Sequence, residues 1–448
     1  MTTGDGATLL RPLTAQQKID LAVFGEARLD ELQRHAFSYF LNEANPDNGL
    51  VADTSLTGSV ASIAAIGFAL AAYPVGVERG WMSRTDAVRR TRAAMQFFST
   101  SLQGTMVDAS GHKGFYYHFL DMRTGRRAGL CELSTVDTAF LIAGMLAAAQ
   151  FFDRENEGEQ EIRTLADTLY RRVDWAWACD GGATITHGWK PESGFLSYRW
   201  EGYDEAVLLY ILGLGSPTHP LPVESYAAWT STYQWKDIYG YEFVYGGPLF
   251  IHQYSHVWID FRGIQDAFAR DKGIDYWENS RRATYVQQKY AIDNPLGFAG
   301  YGENFWGLTA SDGPGATTLR IDGVERTFFD YLARSVPYGP DDGTVAAWAV
   351  VASLPFAPEI VLPTVQHFQD AYPQASGDYC FRCSFNLSFP NEAEPGAGWA
   401  SPHHFGINLG PVVLMCENYR TELLWRLMRA CPHIVTGLRR AGFRNGWL

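Results

Sequence analysis

Two stretches of the chain set carboxylates beside aromatic residues at what read as the starts of apolar helices. The first runs Gly114-Phe115-Tyr116-Tyr117-His118-Phe119-Leu120-Asp121 and resumes at Cys131-Glu132-Leu133-Ser134-Thr135-Val136-Asp137. The second, residues 197–206, alternates Tyr198, Trp200 and Tyr203 with Glu201, Asp204 and Glu205. Paired acids of this kind suit glycosidic bond cleavage, in which one carboxylic acid protonates the leaving oxygen and one carboxylate activates water or attacks the sugar. An acid in a first helical turn can also serve only as a cap. Both readings stand for Asp137 and for Glu205, where Asp204 could cap and Glu205 project.

A third cluster carries His252, Gln253, Tyr254, His256 and Arg262. The two histidines stand four apart, as in zinc proteases, but no Glu lies between them and no third ligand is evident. No metal is expected; these residues read as lining a sugar cleft or as buried, hydrogen-bonded side chains. Further polar-aromatic groups carry Glu303, Trp306 and Asp312, then Asp341-Asp342, then Asn418 within the polar stretch 417–421 of an apolar helix. Asp341-Asp342 lacks diphosphate-binding spacing and reads as a turn. No glycine-rich nucleotide loop, nucleophile elbow or HExxH is found in suitable context, so no cofactor is expected.

The 448 residues are 46% hydrophobic and 19% charged, enough apolar mass for a deep core. Aromatic residues are abundant (14 Trp, 23 Tyr, 27 Phe), which fits both a filled core and stacking platforms for sugars. A net charge of -13 repels phosphate backbones and anionic lipid, so neither nucleic acid nor membrane is an expected partner, whereas a neutral oligo- or polysaccharide is. Six cysteines, of which only Cys380 and Cys383 are close, make neither a disulfide scaffold nor a zinc site and read as reduced. The start of the chain has no signal-peptide pattern and the apolar runs are too short for a membrane helix. As it stands the chain reads as cytoplasmic, or as periplasmic if a signal has been removed. Oligomeric state is not legible.

Helical periodicity must position these clusters. It predicts helices over 28–42, 60–72, 84–101, 135–152, 161–177, 204–214, 223–232, 264–272, 276–290, 345–354, 359–371 and 412–430. Long loops rich in Gly, Pro and aromatics, such as 180–203, 232–253 and 294–320, join them; strand-like runs at 114–119 and 241–244 read as short and isolated. With no linker in sight, a single all-α domain over 1–448 is expected, with 1–24 as an N-terminal extension. Paired helices closing into a ring would gather the loops at one end.

The ordered segments GFYYHFLD, CELSTVDTAFLIAG, GYDEAVLLYILGLGSPTHP, PLFIHQYSHVWIDFRGI, DYWENSRRAT, NFWGLTASDGP, DGTVAAWAVVASLPFAPE and CENYRTELLW resemble the glycoamylase-like domain. That domain occurs in β-1,2-glucan-degrading enzymes of glycoside hydrolase family 144 and in cyclic β-1,2-glucan synthases. The resemblance spans roughly residues 25–445. It implies an (α/α)6 barrel with aromatic-rich loops at one end and a cofactor-free glycoside hydrolase acting on β-1,2-linked glucans, internally or by releasing sophorose from an end. It also implies inversion by acids at Asp137 and Glu205, with Glu205 as general acid and Asp137 as base or the reverse, and Glu132 as a third candidate because Asp137 stands where some relatives carry a longer Glu. Transglycosylation with retention and non-catalytic glycan binding are the alternatives. Carboxylate separation in space, about 5–5.5 Å or about 6.5–9.5 Å, divides retention from inversion. In this reading Tyr116, His118, Trp200, Tyr203, Trp235, His252, Gln253, Tyr254, His256, Arg262, Glu303, Trp306, Asp312 and Asn418 contact sugar.

Overall fold

The computed structural model describes residues 14–391 and 393–448. Among these, sixteen α-helices run in chain order as α1 (Ala15–Phe24), α2 (Glu26–Asn42), α3 (Ile63–Glu78), α4 (Arg84–Thr100), α5 (Thr135–Phe151), α6 (Glu157–Arg172), α7 (Val207–Gly215) and α8 (Glu224–Thr230). They continue as α9 (Tyr254–Trp258), α10 (Ala267–Lys272), α11 (Tyr276–Asp293), α12 (Ala347–Ala352), α13 (Pro358–Ala371), α14 (Gly406–Thr421), α15 (Leu423–Arg429) and α16 (Pro432–Arg440). Residues 1–13 of the expected extension lie outside the described residues, while α1 buries Leu21 and Phe24 and packs on α2 and α13.

The helices sort by composition. α3, α5, α7, α12 and α14 are apolar around most of their circumference and buried throughout, as an element enclosed on all sides must be. With the short α9 they form an inner ring. α14 packs on α3, α3 on α5, α5 on α7, α7 on α9, and the ring closes where Gln253 donates to the Ala349 carbonyl of α12 at 2.6 Å and α12 meets α14. Amphipathic helices cover the outside: α2 against α14 and α3, α4 and α6 against α3 and α5, α16 against α7, and α13 against α12. α6, for example, buries Ile162, Ala166, Leu169 and Tyr170 and turns its Glu and Arg residues outward. This is an (α/α)6 barrel.

At the α3–α5 seam the two backbones touch. A Cβ on Gly67 would sit 2.3 Å from the Phe140 carbonyl oxygen, and one on Gly144 2.0 Å from that of Gly67, so neither position tolerates a side chain.

Several features differ from the sequence expectation for local reasons. α7 starts at Val207 instead of residue 204, because Gly202 takes a positive φ of 88° and the Asp204 Oδ1 accepts the Ala206 N–H; Glu205 therefore precedes the helix. The expected helix over 412–430 breaks at Glu422, which is left-handed (φ 59°) and pairs with Arg262 at 3.0 Å. Residues 114–119 are not isolated. Phe115–Tyr117 joins Gly111–His112, Leu133–Ser134, Gly188–Lys190 and Gly194–Phe195 in a five-stranded sheet that ties the two halves of the first cluster together. Tyr241–Val244 likewise forms a hairpin with Trp235–Ile238. The polar stretch of α14 is paired inside the protein: Glu417 accepts from Arg79 and Gln33, and Arg420 donates to Asp30 and Gln33. No helix among the described residues is long and apolar enough to cross a membrane.

Candidate active site

Five of the six inner helices deliver their N-terminal ends to one cavity of about 500 Å³, within the range that takes small organic ligands. Ser62 enters from α3, Ser134, Val136, Asp137 and Phe140 from α5, Glu205 from just before α7, Phe250 and Tyr254 from α9 and the turn before it, and Phe405, Ile407 and Asn408 from α14. Helix N-termini carry partial positive charge, which eases the crowding of carboxylates in this space.

Asp137 and its surroundings follow from local sequence. Ser134 caps α5, accepting the Asp137 N–H and donating its hydroxyl to the Asp137 carboxylate at 2.5 Å. The same strand pairing that brings the His118 N–H to the Glu132 carbonyl (2.9 Å) sets their side chains together, His118 Nδ1 donating to Glu132 Oε1 at 2.8 Å. His118 Nε2 faces Asp137 Oδ2 at 3.6 Å, and the imidazole stacks on Phe119 with centroids 4.0 Å apart. Burial alone would lower the pKa of His118; the charges of Asp137, Glu132 and Asp53 overcome it and raise it to about 9. Burial likewise favours a neutral Glu132, but the hydrogen bond and charge of His118 win and hold it below its ordinary value. These three residues are also, among the described ones, the group able to hold a metal ion, with one ligand atom of each within 4.8 Å of the others. In the arrangement seen, the imidazolium fills that cationic role.

Glu205 behaves differently. Burial, reinforced by the charge of Asp137, pushes its carboxyl up to about 7, while its neighbour Asp204 is raised by burial and by the charge of Glu205. One wall of the cavity is thus an ionised His–Glu cluster, and another carries an acid that keeps its proton near neutrality. Trp200 lines the space between, its Nε1–H donating to Thr135 Oγ1 at 3.0 Å and its ring stacked on His187 at 3.8 Å.

Of the residues expected to do chemistry or touch sugar, Asp137, Glu205, Glu132, His118, Trp200 and Tyr254 line this cavity. Asp312 stands just behind, accepting from Ser401 and adding its charge to the field on Asp53. The others do not reach it. Tyr116 is buried with its hydroxyl on the Phe98 carbonyl, Trp306 donates to Thr364, and Asn418 donates to the Val257 carbonyl; all three hold barrel elements together. Gln253 closes the inner ring, His252 donates Nε2–H to the Gly246 carbonyl, and His256 hydrogen-bonds Ser280. Arg262 is engaged by Asp260 and Glu422 over the Trp425 ring. Glu303 is exposed elsewhere, Trp235 lies in the hairpin beside Lys272, and Tyr203 stacks on Tyr276 and edges a separate, shallower depression.

Sequence reading misses Asp53. It lies in the loop before α3, directly after the apolar run Gly49-Leu50-Val51-Ala52, and lines the cavity. Burial pushes its carboxyl up to about 6, against the pull of His118 and with the repulsion of Asp137 and Asp312. An acid closing a short buried run is the one local signal it carries. Tyr331, also on the cavity wall, carries none.

An (α/α)6 barrel with acids gathered at the inner helix N-termini defines the class. The Glycoamylase family model, described as "Putative glucoamylase", matches residues 197–432, and the chain belongs to this family. The exo β-1,2-glucooligosaccharide sophorohydrolase (non-reducing end) of Parabacteroides distasonis is 29% identical over 452 residues, covering 93% of this chain; the chain spans 58% of that relative's length. The endo-β-1,2-glucanase of Chitinophaga pinensis, solved with sophorotriose and glucose, superposes with a TM-score of 0.82 at 27% identity, covering 94% of this chain and 99% of that one. The β-1,2-glucanase of Parabacteroides distasonis superposes with a TM-score of 0.80 at 27% identity, covering 92% of this chain and 59% of that one.

Proposed function

We propose that the protein is a glycoside hydrolase that cleaves β-1,2-linked glucose chains at this cavity. The observation that carries the reading is that Glu205 and Asp137 line one cavity, where burial pushes the Glu205 carboxyl up to about 7. Two carboxyl groups in one cavity, one of them kept protonated by burial, can divide the work of acid and base. Relatives that act on β-1,2-glucans and match nearly the whole of this chain supply the linkage.

In this mechanism Glu205 gives its proton to the glycosidic oxygen as that bond breaks. Asp137 takes a proton from a water that attacks the anomeric carbon from the opposite face, and the product leaves with inverted configuration. The His118–Glu132 pair holds the imidazolium against Asp137, keeping that carboxylate in place and offsetting the charge of Asp53. A net charge of -13 sets no barrier to a neutral glucan.

The test is incubation with linear β-1,2-glucan, following product sizes by chromatography and the first-formed anomer by proton NMR. Expected are short products of inverted configuration, and a fall in kcat of about 1,000-fold in Glu205→Gln, the scale of a lost proton donor. Because Glu205 acts in its protonated form, kcat/KM should fall as pH rises through about 7. Longer or cyclic products of retained configuration would make the protein a transglycosylase instead. An inert wild type would reject the reading.

A further inference from the structure

The cavity is lined by side chains of two kinds. His118, Glu132, Asp137 and Asp53 bring charge; Phe250, Tyr254, Ala310, Phe405 and Ile407 are among those that bring apolar surface. Tyr331 overhangs the mouth. Its side chain is 64% exposed to solvent, yet it lines the cavity and lies in the field of Glu205, Asp312 and Asp53. Protein surrounds it at longer range because it leans over a concavity. That low-dielectric setting, with Cys383 and these carboxylates, raises its pKa and keeps the phenol a hydrogen-bond donor.

A single exposed tyrosine is ordinary. What sets this one apart is how its backbone is held. Arg334, fully buried, is paired bidentately with the equally buried Asp342 at 2.7 and 2.8 Å. Its remaining donors go to the carbonyls on both sides of Tyr331: Phe329 (3.3 Å), Asp330 (3.2 Å) and Leu332 (3.4 Å), and to Ser311 (2.8 Å) on the paired strand. Asp342 in turn accepts the Phe329 N–H at 3.1 Å. A buried ion pair contributes little net stability compared with an apolar replacement, so its use here is to fix geometry. The geometry it fixes is the tip from which Tyr331 projects.

We propose that Tyr331 is a substrate-contacting, specificity-determining residue whose ring covers the apolar face of a glucosyl unit at the cavity mouth and whose hydroxyl donates to a sugar oxygen, with the Arg334–Asp342 pair as its positioning device. The inference rests on the β-1,2-glucan reading and adds a residue to it. An aromatic ring and charged groups lining one cavity suit a sugar, whose hydroxyls lie around the rim and whose C–H groups lie on the faces.

Steady-state kinetics on linear β-1,2-glucan test it. Tyr331→Ala should raise KM about tenfold and change kcat less than threefold, and Tyr331→Phe, which keeps the ring, should raise KM by about threefold or less. The unfolding midpoint of both should stay at that of the wild type, since the side chain is exposed. Asp342→Asn should raise KM when Tyr331 is present and add nothing in the Tyr331→Ala background, a coupling that simple destabilisation would not produce. The Tyr331 variants decide the contact whether or not Asp342→Asn folds. An unchanged KM in Tyr331→Ala with an active wild type would overturn the inference and leave the hydrolase reading intact. Additive effects of the two substitutions would overturn the positioning role. An inert wild type would overturn both readings at once.

Discussion

His118 and His252 come from similar sequence, each within a run of aromatic and polar residues, and end in opposite states. His118 sits among Glu132, Asp137 and Asp53 and is a cation at neutral pH, its pKa raised to about 9. His252 is enclosed by Tyr203 and Phe243 rings, gives its one hydrogen bond to a backbone carbonyl, and is pushed by burial down to about 4. His256, against Phe261 and Phe356, is lowered for the same reason. Both environments remove water; only the first replaces it with carboxylates. A polar side chain joins a site through the charges that surround it in space, and spacing along the chain does not report them.

The contrast is most sharply broken by paired substitutions. His118→Phe should lower kcat/KM on β-1,2-glucan by about 100-fold, because Asp137 and Glu132 lose the cation between them, whereas His252→Phe should leave it within about threefold. Equal losses in the two variants would dissolve the distinction. Next in size is a stability effect at Glu205. Its folded pKa of about 7 lies above the value of 4.5 expected when unfolded, so the stability it contributes is full below about pH 4.5 and lost as pH rises through 7. Glu205→Gln has no such loss. Denaturant titrations should show the variant gaining about 2 kcal/mol on the wild type between pH 4.5 and pH 8, after discounting for its partial solvent contact.

Smaller shifts sharpen the comparison. Glu132→Gln should lower the His118 pKa by about one unit in an NMR titration of the imidazole nitrogens and leave His252 unmoved. The two histidines should also tilt stability in opposite directions. His118, raised above 6.5, stabilises fully below that pH and loses this as pH climbs towards 9. His252, depressed to about 4, contributes above 6.5 and loses it as pH falls towards 4. Midpoints of His118→Gln and His252→Gln relative to the wild type should therefore change with pH with opposite slopes.

The long helices were legible from their periodicity, as α5 and α6 were, while their closure into a barrel was legible through the family resemblance. Five-residue α9 is too short for periodicity to reveal, and the five-stranded sheet joins two- and three-residue strands from segments far apart in the chain. Asp137, Glu132 and Glu205 stood out because acids beside a long apolar helix need an explanation. Trp306, Asn418 and Gln253 drew the same attention, yet their side-chain donors are consumed in tying barrel elements together, a role that leaves an identical trace in the sequence. Asp53 and Tyr331 reach the cavity from loops, and only folding brings them there.

The touching backbones at Gly67 and Gly144 limit how this protein can change. Ordinary positions offer many single-step substitutions to selection; these two offer almost none, since even alanine would collide with a carbonyl of the facing helix. The helix that carries Asp137 is thereby locked in register with the one that follows Asp53, and a lineage cannot shift one against the other by small moves. Variation in specificity has to enter through loops such as the one bearing Tyr331. A mutant library aimed at new linkages would be largely wasted on the seam and well spent on the rim.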